Sequence, residues 1–337
     1  MYKVKEIKRE ELDIQEYYSF PEKPLFSTLE WLDYLVEDIR GKPFILRITD
    51  ENDHLAGYFT GMLVRKFGIP IVGSPFSGWS TVYMGFDVLE GVNRLDLLPC
   101  IKDYLFKKKH ALFIQIVDRN ISAEEAVAAG YCTEVADTLE LEINKTDEEL
   151  FKVFKTDCRN FIRQFERRGA LYERAEPNDE FAEEYYEQLK DVFAKQGLVP
   201  TYSVDKVRHI LSHLKDGETV LCQRVRDPET NQSIATSIFL AYNGTFYFWG
   251  GASYRSGQHY RPNEYMLWRA IQFWRDKGYK MFDMVGVRDY KRKFGSHEVQ
   301  YASILIAKYP VLIKLREMAK NLFFWFLSIK GKLLKRK

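Results

Sequence analysis

Two segments of the chain share one pattern of apolar and polar positions. Each consists of a short β-type run, a polar turn containing Asp and Asn, and a second β-type run that opens with Ala. They cover residues 44–64 and 220–243, about half a chain apart. A repeat at this spacing predicts a duplicated α+β unit.

The residues around the two hairpins predict the same order of elements twice: helix, hairpin, then helix and strand. In the first half the predicted helices are 29–39, capped by Ser27 or Thr28, and 95–108, and the predicted strands are 111–118 and 138–143. In the second half the helices are 147–168, 181–194 and 262–278, and the strands after the second hairpin are 279–287 and 299–309.

Residues typical of turns and helix ends support the elements predicted in the second half. Asn243-Gly244 lies between two β-rich runs and predicts a type I′ hairpin turn. Pro262 suits a first helical position and Gly278 suits a helix C-terminus. No linker rich in Pro and Ser separates the halves. We expect an N-terminal domain at 1–145, a C-terminal domain at 146–309 and a basic amphipathic helix at 310–337.

Composition and charge place the chain among ordinary globular proteins, with one exception at its end. The 337 residues contain 46% hydrophobic and 29% charged residues and carry a net charge of +2. Residues 310–337 contain eight cations and one anion, so the remainder is at about −5 (2 − 7). A body of this charge is less basic than is usual for a protein that grips nucleic acid along a whole face.

Several classes of protein lack support in the sequence. The four cysteines form no C-x-x-C pair, and the N-terminus has no apolar signal region, so we expect a cytoplasmic protein without disulfides. No G-x-S-x-G, Walker A or G-x-G-x-x-G motif is present. His209 and His213 are four residues apart, but Ile210 replaces the glutamate of a zinc-protease helix, so no metal site is predicted.

Cations recur in three places that suit negatively charged ligands. In the helix predicted at 147–168, Arg159, Arg163 and Arg167 repeat every four residues, which suits either a solvated face or bidentate phosphate binding. A loop rich in Gly and Arg, with Arg255, Arg261 and then Asn263, opens the helix at Pro262, and such helix starts bind anions.

The third place is residues 290–297, YKRKFGSH, where three cations stand between two aromatic residues. Together with TLELEINKTDEELFKVFKTDCRNFIRQFERRG and GGASYRSGQHYRPNEYMLWRAIQFWRDKGYKMFDMVG, this stretch resembles the Fem-type peptidoglycan aminoacyltransferases and the BioF2-like (CelD-like) GNAT acetyltransferases. These families carry F-K-x-x-F-G near the C-terminus, and Tyr290 stands here in place of the first Phe. The likeness covers about residues 26–309.

The resemblance implies tandem GNAT-like α+β domains, with mixed sheets flanked by helices. It implies that Lys291 stabilises negative charge at the reacting centre beside Tyr290, and that Arg159 and Arg163 contact phosphates. Arg292 and Lys293 are then expected to face solvent. The acetyl-CoA loop of ordinary GNAT enzymes is not intact in YRSGQHYRPN.

The chemistry implied is transfer of an acyl group from acyl-CoA or aminoacyl-tRNA, as co-substrate, to an amine, with no tightly bound cofactor. The acceptor implied is a nucleotide-linked or lipid-linked cell-envelope precursor. Such a reaction needs a donor for a tetrahedral oxyanion, and no Ser, Cys or His nucleophile. The base is either Asp283 or the substrate itself, and an end-of-strand carboxylate that bonds nearby backbone is the alternative interpretation of Asp283.

The C-terminal helix has two interpretations. Its bulky apolar residues followed by lysines suit an anionic membrane surface, at the inner face of the plasma membrane. The alternative is a terminal helix that packs back on the first domain. If the helix binds a membrane surface, a second functional hypothesis is possible. The protein is then a non-catalytic, membrane-peripheral module that binds RNA or lipid on a GNAT scaffold.

Overall fold

The computed structural model of the chain describes residues 2–66, 68–76, 78–318 and 321–322. They divide into two compact units. The N-terminal unit contains Met1–Asp137 together with Gln300–Lys320, and the C-terminal unit contains Thr138–Val299. The sequence places the domain boundary at 145/146, a few residues after this division. Among the described residues, no helix is both long enough and apolar enough to cross a membrane.

The N-terminal unit has a regular succession of strands and helices. In chain order these are β1 (Lys3–Ile7), α1 (Ile14–Tyr18), α2 (Leu29–Ile39), β2 (Lys42–Thr49), β3 (Leu55–Lys66), β4 (Ile69–Ser74), β5 (Phe86–Val88), α3 (Arg94–Lys107), β6 (Phe113–Asp118) and α4 (Ala123–Ala128). The next strand, β7 (Cys132–Glu142), begins in this unit, and its residues from Thr138 belong to the C-terminal unit.

The C-terminal unit repeats the succession. It contains α5 (Asp147–Val153), α6 (Thr156–Arg168), β8 (Leu171–Ala175), α7 (Asp179–Lys195), α8 (Val204–His213), β9 (Val220–Arg226), β10 (Ser233–Tyr242), β11 (Thr245–Ser253), α9 (Pro262–Asp276), β12 (Met281–Asp283) and α10 (Asp289–Arg292). The last strand is β13 (His297–Ala307), and its residues from Gln300 return to the N-terminal unit.

The two units have the same strand order. The N-terminal order is β1-β2-β3-β4-β6-β13 with β5 beside β3, and the C-terminal order is β8-β9-β10-β11-β12-β7. In each unit one neighbouring pair is parallel, β4 with β6 and β11 with β12, and a helix connects its two strands. The other neighbours whose register is defined are antiparallel. The predicted tandem α+β fold is confirmed.

The sixth strand of the N-terminal unit comes from near the end of the chain, whereas the sixth strand of the C-terminal unit is the first strand of that unit's own run. β13, near the end of the chain, pairs with β6 through Ala302–Ala307 and buries Ala302, Ile304 and Ile306 in the N-terminal core. β7, which precedes the C-terminal unit's helices, pairs with β12 and buries Leu139 and Leu141 in the C-terminal core.

Aromatic side chains fill the C-terminal core between the sheet and α9. Trp274 on α9 is fully buried, and its ring centroid lies 6.2 Å from that of Phe246 on β11. The Phe246 ring stacks at 4.1 Å on Phe282 of β12. Tyr265 stacks at 3.9 Å on Phe165, which joins α6 to the same core. The high aromatic content therefore serves mainly to pack helices on the sheet.

Two predicted elements are wrong in extent. The helix predicted at 147–168 is two helices, α5 and α6, because Phe154 between them is extended (ψ 139°). Phe154 is 2% exposed and contacts Trp268 and Phe294, so packing its ring in the core outweighs helix continuity. The strand predicted at 279–287 is limited to β12, because the chain turns at Val285 and Gly286 with positive φ.

The predicted helix cap, hairpin turn and helix ends are confirmed. Helix α2 has the predicted bounds, and the Thr28 hydroxyl accepts from the N–H of Trp31. Asn243 and Gly244 have φ of 49° and 81°, as a type I′ turn requires. Pro262 is the first residue of α9, and Gly278 ends its C-terminal turn with φ 85°.

After β13, residues 311–318 are helical, and Arg316 among them contacts the N-terminal unit. The guanidinium of Arg316 donates to both carboxylate oxygens of Glu134 at 3.0 Å and lies 5.8 Å from the ring centroid of Phe113. The start of the predicted C-terminal helix thus packs back on the first unit. Most of the predicted membrane segment, 323–337, lies outside the described residues.

A buried ion pair fastens the segment between α1 and α2 to the sheet of the N-terminal unit. Lys23 Nζ lies 2.6 Å from Asp87 Oδ2, and the two side chains are 0% and 1% exposed. Ser27 Oγ also donates to Asp87, and the ammonium lies 3.5 Å from the ring centroid of Tyr17. Burial lowers the pKa of Lys23 and raises the pKa of Asp87, and each partner opposes the shift of the other.

We expect Lys23→Met to lower the free energy of unfolding by about 3–5 kcal/mol, because it leaves the Asp87 carboxylate buried without its counter-ion. Urea denaturation measures this loss. The double variant Lys23→Met/Asp87→Asn removes both charges and should be more stable than the single one. Lys3→Met is the control, since its partner Asp53 is exposed and such a pair contributes about 0–1 kcal/mol. Equal losses in the buried and exposed variants would contradict this account.

Candidate active site

The candidate site lies where the parallel strands of the C-terminal unit separate. β11 and β12 pair over three residues only, Thr245–Tyr247 with Met281–Asp283, although β11 continues to Ser253. β11 also contains a bulge: Ile238 of β10 faces Gly250 and Phe239 faces Phe248, so Trp249 is an extra residue. A bulge bends its strand and is common beside active sites. β11 is therefore directed away from β12 at this point.

A cavity of about 260 Å³ opens beside the separated strands. Its apolar wall includes Phe239, Phe248, Met266 and Leu267, and its polar groups are supplied by Ser237, Ser253, Gln258, Asn263 and Tyr290. None of its lining side chains carries a charge. A largely apolar cavity with a few convergent polar groups is typical of a small-molecule site.

The start of α9 forms one rim of the cavity. Asn263 is its second helical residue, after Pro262 and after Arg261 with φ 63°. The first-turn N–H groups of a helix attract negative charge, but Glu264 already places a carboxylate there. Glu264 is paired with Lys293, and both side chains are about 12–13% exposed. The expectation that Lys293 faces solvent is therefore wrong, whereas Arg292 is 41% exposed and pairs with Glu298.

Lys291, the lysine of the motif, is directed at backbone carbonyls. It is 5% exposed, and Nζ donates to the carbonyl oxygens of Met284, Val285 and Gly286 at 2.6, 2.7 and 3.4 Å. An ammonium has three protons, and these acceptors use all of them. Nζ also lies 5.3 Å from the ring centroid of Phe248 on the cavity wall. Burial lowers the pKa of Lys291 to about 8.

Asp283 is bonded to the other side of the same turn. Its side chain is buried, and Oδ1 accepts from the Val285 N–H at 2.8 Å and from the Thr138 hydroxyl at 2.5 Å. Thr138 Oγ1 in turn accepts from the Gly286 N–H at 3.2 Å. This is the bonding expected of an end-of-strand carboxylate that holds nearby backbone. Glu140, 2% exposed, faces Asp283 in register on β7.

Tyr290, at the N-terminal part of α10, is the predicted catalytic residue that lines the cavity. The residue is 46% exposed. Desolvation of the phenol raises its pKa to about 12, so the hydroxyl keeps its proton at physiological pH. A protonated phenol can donate a hydrogen bond or a proton to an atom in the cavity.

The predicted arginines do not converge on one point. Arg159 donates to the Phe151 carbonyl at 3.2 Å and to the Thr156 hydroxyl at 3.1 Å, so it joins α5 to α6. The Arg261 guanidinium lies 4.3 Å from the ring centroid of Phe161, and its Nε has no hydrogen-bond partner in the described part of the chain. Arg163 and Arg255 are exposed.

The structure thus places Asn263 and Tyr290 at the cavity, and Asp283 and Lys291 at the turn behind it. Sequence reasoning missed Ser237, Ser253 and Gln258 in the cavity, and it missed Thr138 at the turn. The signal for Thr138 was present, because TLELEI alternates and so sets Thr138 and Glu140 on the face opposite Leu139 and Leu141. The cavity serines carry no pattern of their own.

Comparison with known proteins defines the class. Residues 152–292, which contain every residue of the cavity, match the family model described as an acetyltransferase (GNAT) domain. The matched segment, which lies within the C-terminal unit, is thus similar to a GNAT-type acyltransferase domain. No curated protein matches the sequence significantly.

Solved structures share the fold over nearly the whole chain. FemX is 14% identical, with 89% of this chain and 97% of FemX covered at a TM-score of 0.69. A tandem GNAT protein from the clavulanic acid biosynthesis pathway is 11% identical, with 92% and 99% covered at a TM-score of 0.55. The C-terminal domain of an Agrobacterium fabrum protein described as a lysylphosphatidylglycerol synthetase is 12% identical, with 86% and 90% covered at a TM-score of 0.53.

The turn after β12 stores backbone strain that a substitution can release. Val285 is β-branched and has φ 55°, a left-handed conformation that costs a non-glycine residue roughly 1–2 kcal/mol. Asn tolerates this region better. We therefore expect Val285→Asn to raise the free energy of unfolding by up to about 1 kcal/mol. The control is Val287→Asn, at a half-buried valine that is absent from the positive-φ residues. Denaturant unfolding should show no gain for the control, and a gain shared by both variants would contradict stored strain at Val285.

Proposed function

We propose that this acyltransferase moves an acyl or aminoacyl group from acyl-CoA or aminoacyl-tRNA to an amine of a cell-envelope precursor. The observation that supports the proposal most directly is the uncharged cavity at the separation of β11 and β12, inside the segment that matches a GNAT domain. A cavity of this size and lining accepts a small acyl group and the apolar arm or ribose end that carries it.

The separated strand supplies donors for the reaction. Acyl transfer to an amine passes through a tetrahedral oxyanion, which is stabilised by fixed N–H or O–H groups. Beyond Tyr247, no strand in the described part of the chain pairs with the edge of β11 that β12 has left. Backbone N–H groups of that edge therefore face the opening. A thioester or ester donor is already activated, so no nucleophilic side chain is needed.

Tyr290 supplies the proton in this scheme. Its phenol is protonated and lines the cavity, so it donates to the sulfur or ribose oxygen that leaves when the acyl bond breaks. The attacking amine releases one proton as the amide forms, and this proton restores the Tyr290 phenol, so the proton balance closes without Asp283. Asp283 is fully buried and accepts from the turn, which favours this interpretation.

Of the five predicted ligand-binding residues, Arg163 and Arg255 keep exposed guanidinium groups and Asn263 lies at the cavity. We assign the two arginines to phosphates of the donor or of a nucleotide-linked or lipid-linked acceptor. Arg159 and Arg261 act indirectly, through α6. A cell-envelope acceptor is supported by the motif likeness to Fem-type peptidoglycan aminoacyltransferases and by the shared fold with FemX and with a protein described as a lysylphosphatidylglycerol synthetase.

The proposal predicts turnover that depends on the Tyr290 hydroxyl. Purified protein is incubated with labelled acetyl-CoA or alanyl-tRNA and with a UDP-linked muramyl pentapeptide that carries a free lysine amine. Tyr290→Phe should lower kcat about a hundredfold, within the range of a lost proton donor. Tyr309→Phe, at a residue that is 55% exposed and outside the cavity, should keep the wild-type rate.

Two outcomes count against the proposal. Equal rates for Tyr290→Phe and wild type would remove Tyr290 from the chemistry. Absence of transfer from both donors, together with steeply salt-dependent binding of RNA or anionic vesicles, would favour the non-catalytic binding module.

We further propose that the C-terminal helix contacts an anionic membrane surface. Val311, Leu315 and Met318, all on the described helix at 311–318, are each 50–66% exposed and follow helical spacing, so they form an apolar stripe. Arg316, which pairs with Glu134, is directed toward the N-terminal unit instead. The sequence from 310 onward contains eight cations and one anion. An apolar stripe flanked by cations binds the interface of anionic bilayers.

Leu315→Asp/Met318→Asp should abolish co-sedimentation with vesicles containing phosphatidylglycerol, since each carboxylate opposes insertion of the stripe and is repelled by the lipid headgroups. The matched control is Lys314→Asp, beside the stripe, which should weaken the binding only partly and in proportion to its charge. Vesicles of phosphatidylcholine alone should bind poorly. If the stripe instead joins two copies of the chain, the wild-type protein will be dimeric without lipid and the double variant monomeric.

A further inference from the structure

We propose that Lys291, Asp283 and Thr138 form a clamp on the turn at residues 284–286, and that this clamp positions Tyr290 at the cavity. Lys291 is then a positioning residue and not the group that stabilises the oxyanion. The inference concerns the site proposed above, and its consequence for turnover rests on that proposed function. The clamp itself can be tested without any substrate.

The clamp holds both kinds of polar group in the turn. On one side, the Lys291 ammonium binds the three successive carbonyls of residues 284–286. On the other side, Asp283 accepts the N–H of Val285 and Thr138 accepts the N–H of Gly286. The Thr138 hydroxyl also donates to Asp283 at 2.5 Å, which links the two acceptors.

Such fixation is needed because the turn is unfavourable by itself. Val285 and Gly286 have φ of 55° and 76°, so two successive residues are left-handed and one of them is β-branched. Three carbonyl oxygens converge on one point, and the cation placed among them offsets their mutual repulsion. Strain of this kind persists where surrounding contacts determine the conformation, as they do at functional sites.

The turn determines where α10 begins. Only residues 287 and 288 separate it from α10, which has four residues and is too short to be stable alone. Lys291 is on α10, so its bonds to the turn fasten the helix directly. Tyr290 precedes Lys291 and lines the cavity, whereas Lys291 enters the turn, where its Nζ lies 5.8 Å from the ring centroid of Tyr290. Loosening the turn therefore displaces the phenol.

Charged groups around the ammonium make the clamp pH-dependent. Burial lowers the pKa of Lys291 to about 8, Asp283 opposes the shift and Arg288 adds to it. On the same face of β7 lie Glu140, in register with Asp283, and Glu142, in register with Met281 and paired with Lys145. The ammonium is charged below about pH 8, so the clamp is complete there and is lost as the pH rises through that value.

The decisive experiment is hydrogen exchange by mass spectrometry on full-length protein, read on peptides that cover residues 284–295. We expect Lys291→Met and Thr138→Val each to speed exchange in this segment about tenfold or more, with peptides of α7 and α9 unchanged. The double variant should exchange little faster than the faster single variant, because both changes open one turn. Thr138→Ser keeps the hydroxyl and should restore slow exchange. Arg292→Met, at the neighbouring exposed cation, is the matched control and should behave as wild type.

Kinetics then separate positioning from direct catalysis. With acetyl-CoA or alanyl-tRNA as donor, Thr138→Val and Lys291→Met should both lower kcat about tenfold or more with little change in KM, and their effects should not multiply in the double variant. The wild-type rate should fall above about pH 8, and the Lys291→Met variant should lack that decline.

Two results would overturn the clamp. One is wild-type exchange at 284–295 in both single variants. The other is a Lys291→Met variant that loses activity while the segment stays protected, since the lysine would then act on the reacting atoms. Absence of turnover in the wild-type protein contradicts the proposed function alone, because the exchange experiment still decides whether the clamp exists.

Discussion

The separation of two parallel strands after three paired residues is the constraint on which the C-terminal unit depends. Parallel strands would ordinarily continue to satisfy each other's backbone, and here β12 ends at Asp283 while β11 continues. The opening leaves this edge of β11 without a neighbouring strand in the described part of the chain, and it requires the chain after β12 to turn sharply away. That turn brings three carbonyls together, which explains why Lys291 is buried at 5% exposure. The cavity, the bulge, the strained turn and the buried cation therefore all follow from the separation of β11 and β12.

The N-terminal unit contains the same parallel pair, but its opening is filled. β4 and β6 pair over four residues, Ile71–Ser74 with Phe113–Ile116. A side chain added at Gly73 would lie 2.4 Å from the ring of Phe76 and 2.7 Å from that of Trp79. Phe76 and Trp79 are 8% and 5% exposed, and Phe76 stacks on Phe113. Aromatic rings thus occupy the place beside β4, which is consistent with a family match limited to residues 152–292.

The sequence predicted elements well where a local signal determined them. Thr28 as a cap, Asn243-Gly244 as a turn and Pro262 as a first helical residue act within a few residues, so their consequences could be predicted without knowledge of the fold. The break at Phe154 could not, because it depends on Trp268 and Phe294, which are distant in sequence.

The candidate site shows the same limit. The motif drew attention to Lys291, and Lys291 does lie beside the cavity wall. Its orientation depends on carbonyls exposed by a left-handed valine, and no propensity predicts a β-branched residue in that conformation. Lys293 was expected in solvent because three successive cations suggest a surface. It pairs instead with Glu264, 29 positions earlier in the sequence, through tertiary packing.

The late position of β13 in the sequence has a consequence for how the protein is synthesised and folds. Domains generally fold as units while the chain leaves the ribosome, the N-terminal one first. Here the N-terminal sheet lacks its neighbour to β6 until residues 302–307 have been synthesised, whereas β7 is available before any other strand of the C-terminal unit. The second unit can therefore complete its sheet before the first. Until β13 has been synthesised, the edge of β6 is apolar and unpaired. Unpaired strand edges can form hydrogen bonds with strands of other chains.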